Sequence, residues 1–305
     1  MGSVTATIEE TVQVLNARGG KYGVVKVHLY RPFSSEHLLK AIPATVKKIC
    51  VLDRTKEPGA LGEPLYLDVC AAYNGKQNVP FIIGGRYGLG SKDTVPAHIK
   101  AVFDNLESAN PINGFTVGIN DDVTNTSLEI KEDLRIAQPG TVRCKFWGLG
   151  SDGTVGANKQ AIKIIGNHTN KYAQAYFAYD SKKSGGVTMS HLRFGDTPIN
   201  SPYLIDEADY IACHNQSYVH QYDLLKGLKK GGTFVLNCIW NQEELEENLP
   251  AKMKQYIAKN EINFYTVNAT KIAAEIGLGS RINMIMQAAF FKLAGIIEEE
   301  KAVVY

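Results

Sequence analysis

β-Branched and aromatic runs alternate with amphipathic helical stretches along almost the whole chain, in two separate series. Few architectures tolerate such alternation. Parallel neighbouring strands need a crossover, the crossover is usually a helix, and the helices then cover both faces of the sheet. The expected class is α/β, with two open, mostly parallel, three-layer domains. In the first series VTATIEETVQVLNA (4–17), SSEHLLKAI (34–42), GEPLYLDVCAAY (62–73) and DTVPAHIKAVFDNL (93–106) carry helical spacing. YGVVKVHLY (22–30), KKICVLD (47–53) and VPFIIGG (79–85) read as strands. Doubly wound domains normally open on a strand, whereas this chain opens on a helix. The first domain is therefore expected to lack its leading strand.

From about 107 to 140 the pattern loosens into segments rich in Asn, Asp, Gly and Pro, with one short strand at FTVGI (115–119). The boundaries expected are 1–118 for the first domain, 119–140 for a linker or extension, and 141–305 for the second domain. The second series begins with strand TVRCKFW (141–147), helix TVGANKQAIKIIGNHT (154–169) and strand YAQAYFAYD (172–180). Further strands are expected at 187–194, 209–214, 233–238 and 262–267. Helices are expected at 218–228, 242–260, 269–277 and 281–297. The last residues, EEEKAVVY, carry no terminal cap, and the chain reads as a piece cut from a longer protein or as the product of a split gene.

A length of 305 residues suits two domains, and a net charge of +2 gives no general attraction to nucleic acid or membrane. No apolar run approaches the roughly 18 residues of a membrane span. The start, MGSVTATIEE, is no secretion signal. Cys50, Cys70, Cys144, Cys213 and Cys238 are odd in number, scattered and mostly within apolar runs. They read as reduced thiols of a cytoplasmic protein, or of one in another reducing compartment. No C-x-x-C pair and no H-E-x-x-H occurs, so neither a metal nor an iron–sulfur cluster is expected on this chain.

Chemistry gathers at glycine-rich turns. In FWGLGSDGTVGANK, Gly148, Gly150 and Gly153 spell G-x-G-x-x-G between a strand and a helix. Free amides at a helix start accept anionic phosphate, so this context points to a nucleotide. Asp180 ends the next strand, where an NAD site places an acid for the ribose. It runs directly into Ser181, Lys182, Lys183 and Ser184, a second anion site that suits a phosphorylated ribose, as in NADP or coenzyme A. A third turn, GLGSRIN (277–283), offers Ser280 and Arg281. In the first domain GGRYGLGSKD (84–93) and LDRTKEPGALGEP (52–64) follow strand ends. Arg54, Lys56, Glu57, Arg86 and Tyr87 there suit contact with a partner domain. His191, His214 and Ser190 lie in or beside strands without a G-x-S-x-G elbow, so no nucleophile is indicated and no catalytic residue is expected. An NADP-dependent dehydrogenase and a ligand-free interaction module both stay open on these residues alone.

The runs RPF (31–33), LDRTKEPGA (52–60), GRYGLGSKD (85–93), FWGLGSDGTVGANK (146–159), YDSKKSGGVTMSHLRFG (179–195) and GLGSRINMIMQAAFFKLAG (277–295) resemble pyruvate:ferredoxin oxidoreductase. The resemblance covers nearly the whole chain. It implies that the first part is the family's second domain, akin to a transketolase C-terminal domain. The second part is implied to be its third, γ-type domain, which contacts CoA. The family converts pyruvate and CoA to acetyl-CoA and carbon dioxide and passes electrons to ferredoxin or flavodoxin. It uses thiamine diphosphate, Mg²⁺ and iron–sulfur clusters, and no segment here matches those that hold them. By resemblance, Gly150, Ser151, Asp152, Gly153, Lys182, Lys183, Ser280 and Arg281 contact CoA. The resemblance further implies partnership with the remaining domains or subunits, a homodimeric full enzyme, and no turnover by this chain alone.

Overall fold

The computed structural model describes residues 1–136, 138–180, 185–279 and 281–296. Two compact units divide the chain: Met1–Ala137 with Asn200–Tyr203, and Gln138–Ile199 with Leu204–Tyr305.

The first unit runs α1 (Val4–Ala17), α2 (Ser35–Ala41), β1 (Lys48–Asp53), α3 (Pro64–Tyr73), β2 (Phe81–Arg86), α4 (Pro96–Glu107) and β3 (Phe115–Thr116). Its strands are parallel in the order β1-β2-β3, and β1 is an edge strand among the described residues. Side-chain alternation divides the core between the two faces. Leu52 and Ile83 join Val4, Ile99 and Val102 from α1 and α4, whereas Val51 joins Leu38, Leu65 and Val69 from α2 and α3. The buried Asp53 carboxylate accepts the amides of Leu65 and Tyr66, both at 3.1 Å, which seats the start of α3 on the end of β1.

The expected strand at 22–30 does not form. Its residues are exposed or half-buried, and none joins a strand ladder, so its β-branched run finds no sheet edge. The stretch 119–136 belongs to this unit: Leu128 donates to Thr116 O, and Leu134 packs with Leu15 and Ala97. Residues 200–203 belong to it as well. Ser201 Oγ at 2.8 Å and Tyr203 OH at 2.7 Å donate to the buried Glu10 carboxylate.

The second unit runs β4 (Val142–Leu149), α5 (Thr154–His168), β5 (Tyr172–Tyr179), β6 (Val187–Gly195), β7 (Ala208–Cys213), β8 (Leu228–Asn237), α6 (Gln242–Asn248), α7 (Ala251–Lys259), β9 (Asn263–Val267), α8 (Ala269–Glu275) and α9 (Asn283–Ala294). The sheet order is β5-β6-β4-β7-β8-β9. Strands β4, β7, β8 and β9 are mutually parallel, and β6 runs antiparallel between β4 and β5. Tyr210, Ala212 and Val235 pack with Ala161, Ile165 and Phe290 on one face. Ile211, Cys213, Phe234 and Leu236 pack with Tyr218, Leu249 and Met253 on the other. The open α/β class read from the alternation is thus the class observed.

Two helices differ from expectation. Residues 218–228 form a short 3₁₀ turn, Gln216–His220, and then an irregular run into β8; Asn215 caps the turn, and Tyr218, Val219, Leu224 and Leu225 are buried. The charged helix expected at 242–260 breaks into α6 and α7 at Leu249–Pro250. Proline lacks the amide for a helical bond and disfavours the helical conformation of the residue before it.

Candidate functional site

The turn between β4 and α5 is built by three features. Gly148 sits where α5 starts close above the strand: a Cβ there would lie 2.7 Å from Thr154 Cβ. Gly153 has φ +86°, in the left-handed region where glycine carries no side-chain penalty. Asp152 folds its carboxylate back, accepting the amide of Leu149 at 2.8 Å and that of Thr154 at 2.8 Å. Gly150 donates to Gly186 O at 2.7 Å, which ties the turn to the start of β6.

What remains unpaired defines the site. Among the described residues, the amides of Ser151, Gly153, Val155 and Gly156 have no hydrogen-bond partner. They gather at the N-terminus of a helix whose dipole favours an anion. Beside them opens a cavity of about 580 Å³, lined by Leu149–Gly153, Val155, Gly156, Tyr179, Asp180 and Gly186–Thr188. Small-molecule pockets fall in the range of about 300–1,000 Å³.

The floor is rigid. Thr154 Oγ1 and His214 Nδ1 share a buried 2.7 Å hydrogen bond, and Asn237 Nδ2 donates to His214 O at 2.9 Å. Burial pushes the His214 imidazole down to about 4, against the raising influence of Asp152. It is neutral at pH 7 and acts as a structural anchor. His191, pushed down to about 3 by burial and by the charges of Lys145 and Arg193, accepts the amide of Ile205 and is likewise structural. Ser190 is fully buried in β6. Neither histidine lines the cavity.

The structure brings together Gly150, Ser151, Asp152 and Gly153 around the cavity. Of these, the amide of Gly150 and the carboxylate of Asp152 are engaged within the turn, and Ser151 holds an uncommon φ of +77°. Lys182, Lys183 and Ser280 lie outside the described residues. Arg281 is exposed, and two residues on, the Asn283 side chain stands against the Gly153 turn: a Cβ on Gly153 would lie 3.2 Å from Asn283 Cγ. The third glycine turn therefore meets the first through Asn283, a residue the sequence reading passed over.

In the first unit, Arg86 and Tyr87 serve their own fold rather than a free surface. Arg86 Nε donates to Glu63 at 2.5 Å, and its Nη1 donates to Gly114 O at 2.8 Å. Tyr87 is 2% exposed within the core and donates to Met1 O. Both side chains are engaged inside the unit. Arg54, Lys56 and Glu57 stand at the same strand end, Arg54, Lys56 and Glu57 differing from Tyr87 in being accessible.

Donor sets for a metal are a separate matter. Among the described residues, no three His, Cys, Asp or Glu side chains are grouped to hold an ion. Burial raises the thiol pKa of Cys50, Cys144, Cys213 and Cys238, the Cys213 thiol to about 12.

A family model described as pyruvate ferredoxin/flavodoxin oxidoreductase matches residues 143–304, more than half of the chain. The chain belongs to the pyruvate ferredoxin/flavodoxin oxidoreductase family. A model described as pyruvate:ferredoxin oxidoreductase core domain II matches residues 1–99. The chain is 65% identical to a pyruvate-flavodoxin oxidoreductase of Enterobacter agglomerans, over 100% of this chain and 26% of that protein. It is 62% identical to a pyruvate:ferredoxin oxidoreductase of Moorella thermoacetica, over the same shares. The chain thus spans about a quarter of the length of these oxidoreductases. Among solved structures, a pyruvate oxidoreductase subunit of Thermotoga maritima is 18% identical with a TM-score of 0.42, covering 53% of this chain and 82% of that one. So distant a likeness says nothing of the site.

Proposed function

We propose that the second unit binds coenzyme A, as one part of an oxidoreductase that converts pyruvate, CoA and oxidised ferredoxin or flavodoxin to acetyl-CoA, carbon dioxide and the reduced carrier. The observation that carries this reading is the cavity. It joins four unpaired amides at the α5 N-terminus to the end of β5, where the chain passes into Lys182 and Lys183. A ligand with phosphates at two separated places fits such an edge. This chain's contribution is binding and orientation, the proximity part of catalysis.

Thiamine diphosphate, Mg²⁺ and the iron–sulfur clusters of the whole enzyme belong, on this reading, to segments other than those of this chain. So do the carrier's docking site and the pocket that reads the 2-oxoacid. The first unit is a scaffold, with Arg54, Lys56 and Glu57 as its side of a domain contact. The whole enzyme works as a homodimer in the cytoplasm. The described helices include none long and apolar enough to cross a membrane.

Calorimetric titration with CoA, NADPH and NADH tests the reading. CoA is expected to bind, and preference for NADPH overturns it in favour of a dehydrogenase. Substituting both Lys182→Ala and Lys183→Ala removes charge-assisted hydrogen bonds, for a loss of about 10- to 150-fold in CoA affinity. The loss shrinks with dephospho-CoA if the pair reads the 3′-phosphate. Equal affinity of mutant and parent moves the CoA site away from this turn.

A further inference from the structure

Strand β5 has one row of side chains under α5: Ala173, Ala175, Phe177 and Tyr179, since alternate residues share a face. The helix covers the middle of this row, at Ala175 and Phe177, and leaves its two ends exposed. Gly166 of α5 lies over Ala173, with 3.9 Å from an added Cβ to Ala173 Cβ. Ala175 packs on the core that α5 and α9 share. Lys159 Nζ stands 5.4 Å from the centre of the Phe177 ring. The helix runs antiparallel to this strand and begins at Thr154, so it runs out just before Tyr179. The next aromatic of an inward-facing row is thereby left 60% exposed, with cavity where the helix ends.

The neighbours fix which way this face opens. Tyr179 pairs with Thr188, and Thr188 pairs with Gly148, in one row across β5, β6 and β4. Tyr179 and Thr188 both line the cavity. Thr188 is 6% exposed, and its hydroxyl has no hydrogen-bond partner among the described residues. Buried hydroxyls are normally paired, so this one marks a polar capacity left for something else. From Gly148, beneath the helix start, to Tyr179 is two strand spacings, about 10 Å. An anion on the amides and a flat ring on Tyr179 are thus within one ligand's reach.

We propose that Tyr179 is the base-stacking platform of the cavity, taking the purine ring of the ligand whose phosphate sits at the α5 N-terminus, with Thr188 hydrogen-bonding beside it. This rests on the CoA reading and adds the residue that distinguishes a nucleotide from a bare phosphate ester. A ring on a β-strand is held more firmly than one on a loop, so it orders little on binding. Every base has a π-face, and loss of such a platform weakens binding by about 5- to 150-fold.

The test uses the full chain with Tyr179→Ala and Tyr179→Phe, titrated with CoA, adenosine 3′,5′-bisphosphate and 4′-phosphopantetheine, which lacks the adenosine. Tyr179→Ala is expected to weaken CoA and the bisphosphate by 5- to 150-fold and to leave phosphopantetheine unchanged. Tyr179→Phe keeps the ring and stays within about threefold of the parent for all three. If the parent binds CoA and Tyr179→Ala binds it equally well, the platform is refuted while the CoA reading stands. Equal losses for CoA and phosphopantetheine also refute it, because the ring then acts on the fold or the phosphate end. A parent that binds neither CoA nor the bisphosphate overturns both readings. Urea unfolding followed by the fluorescence of Trp147 and Trp240 confirms that the variants fold, since an exposed terminal strand residue adds little to the core.

Discussion

Gly148→Ala isolates the packing that holds the glycine turn in place. The added Cβ would lie 2.7 Å from Thr154 Cβ, 2.7 Å from Oγ1 and 2.9 Å from Cγ2. Carbon atoms in ordinary contact sit about 3.5–4.0 Å apart, so the shortfall is roughly 1 Å. Thr154 has two ways to yield, and both cost. The first turn of α5 can lift, at about 1–3 kcal/mol for overpacking. Alternatively Thr154 can rotate, breaking its 2.7 Å bond to buried His214 and stranding a polar atom, at about 1–3 kcal/mol. Relief of glycine's strand entropy returns about 0.5–1 kcal/mol. Mid-range values, about 2 kcal/mol of cost less about 0.75 kcal/mol returned, leave an expected net loss of about 1 kcal/mol, all of it in the second unit.

Both tryptophans, Trp147 and Trp240, belong to that unit, so their fluorescence in urea reads it alone. A loss of that size lowers the midpoint by about 0.3–1 M with an unchanged slope. Gly166→Ala is the matched control within the same helix. Its Cβ meets only Ala173 Cβ, at 3.9 Å, and a helix-interior alanine gains up to about 1 kcal/mol over glycine. A Gly148→Ala midpoint at or above that of the parent would refute the argument that α5 is pinned to β4 through Thr154.

Acid should weaken the second unit early. His191 and His214 are held neutral by burial, with folded values near 3 and 4 against about 6.5 unfolded, so their contribution is complete above pH 6.5 and lost as pH falls toward 4. Unfolding free energies from urea titrations at pH 7 and pH 5 should differ by on the order of 1–2 kcal/mol per histidine, and equal values count against the two buried, neutral rings. In the first unit, Tyr203→Phe removes a donor from the buried Glu10 carboxylate and should cost about 1–3 kcal/mol. Amide exchange at 200–203 and in α1 should then quicken; protection equal to the parent's would mean that the Tyr203 hydroxyl does not hold this segment.

Much of the fold was legible because burial on both faces of a sheet writes itself as apolar runs. KICVLD, FIIGGR and FVLN stand out from sequence alone, and each is a strand. The turn at Gly148–Gly153 was legible because its glycines fall between a strand and a helix. The β-branched run misled at 22–30, since strand propensity cannot say whether a sheet edge exists to receive it. Strand order was the larger omission. Gly185–Gly186 between two β-rich runs is a hairpin signal, and it would have placed β6 antiparallel beside β5. Tyr179 and Asn283 stayed hidden for a geometric reason. Each matters only because a helix ends or begins next to the glycine turn, and that distance is not written in spacing along the chain.

The reversed strand also bears on which nucleotide this edge suits. In a dinucleotide-binding fold the acid that holds the ribose ends the strand adjacent to the glycine turn. Here β6 is inserted, so β5 and its Asp180 lie two strand spacings from β4, about 10 Å away. An acid at that distance is poorly placed for a ribose next to the phosphate on α5. The same insertion carries the β5 end outward along the sheet edge. It sets the exposed Tyr179 ring two strand spacings, about 10 Å, from the strand that leads into the α5 N-terminus. On the CoA reading proposed above, a compact NAD half is too short for that edge, whereas a ligand with a base and a separate phosphate spans it. NADH should therefore compete with CoA only weakly, and competition at comparable concentrations would show that β6 does not set the spacing.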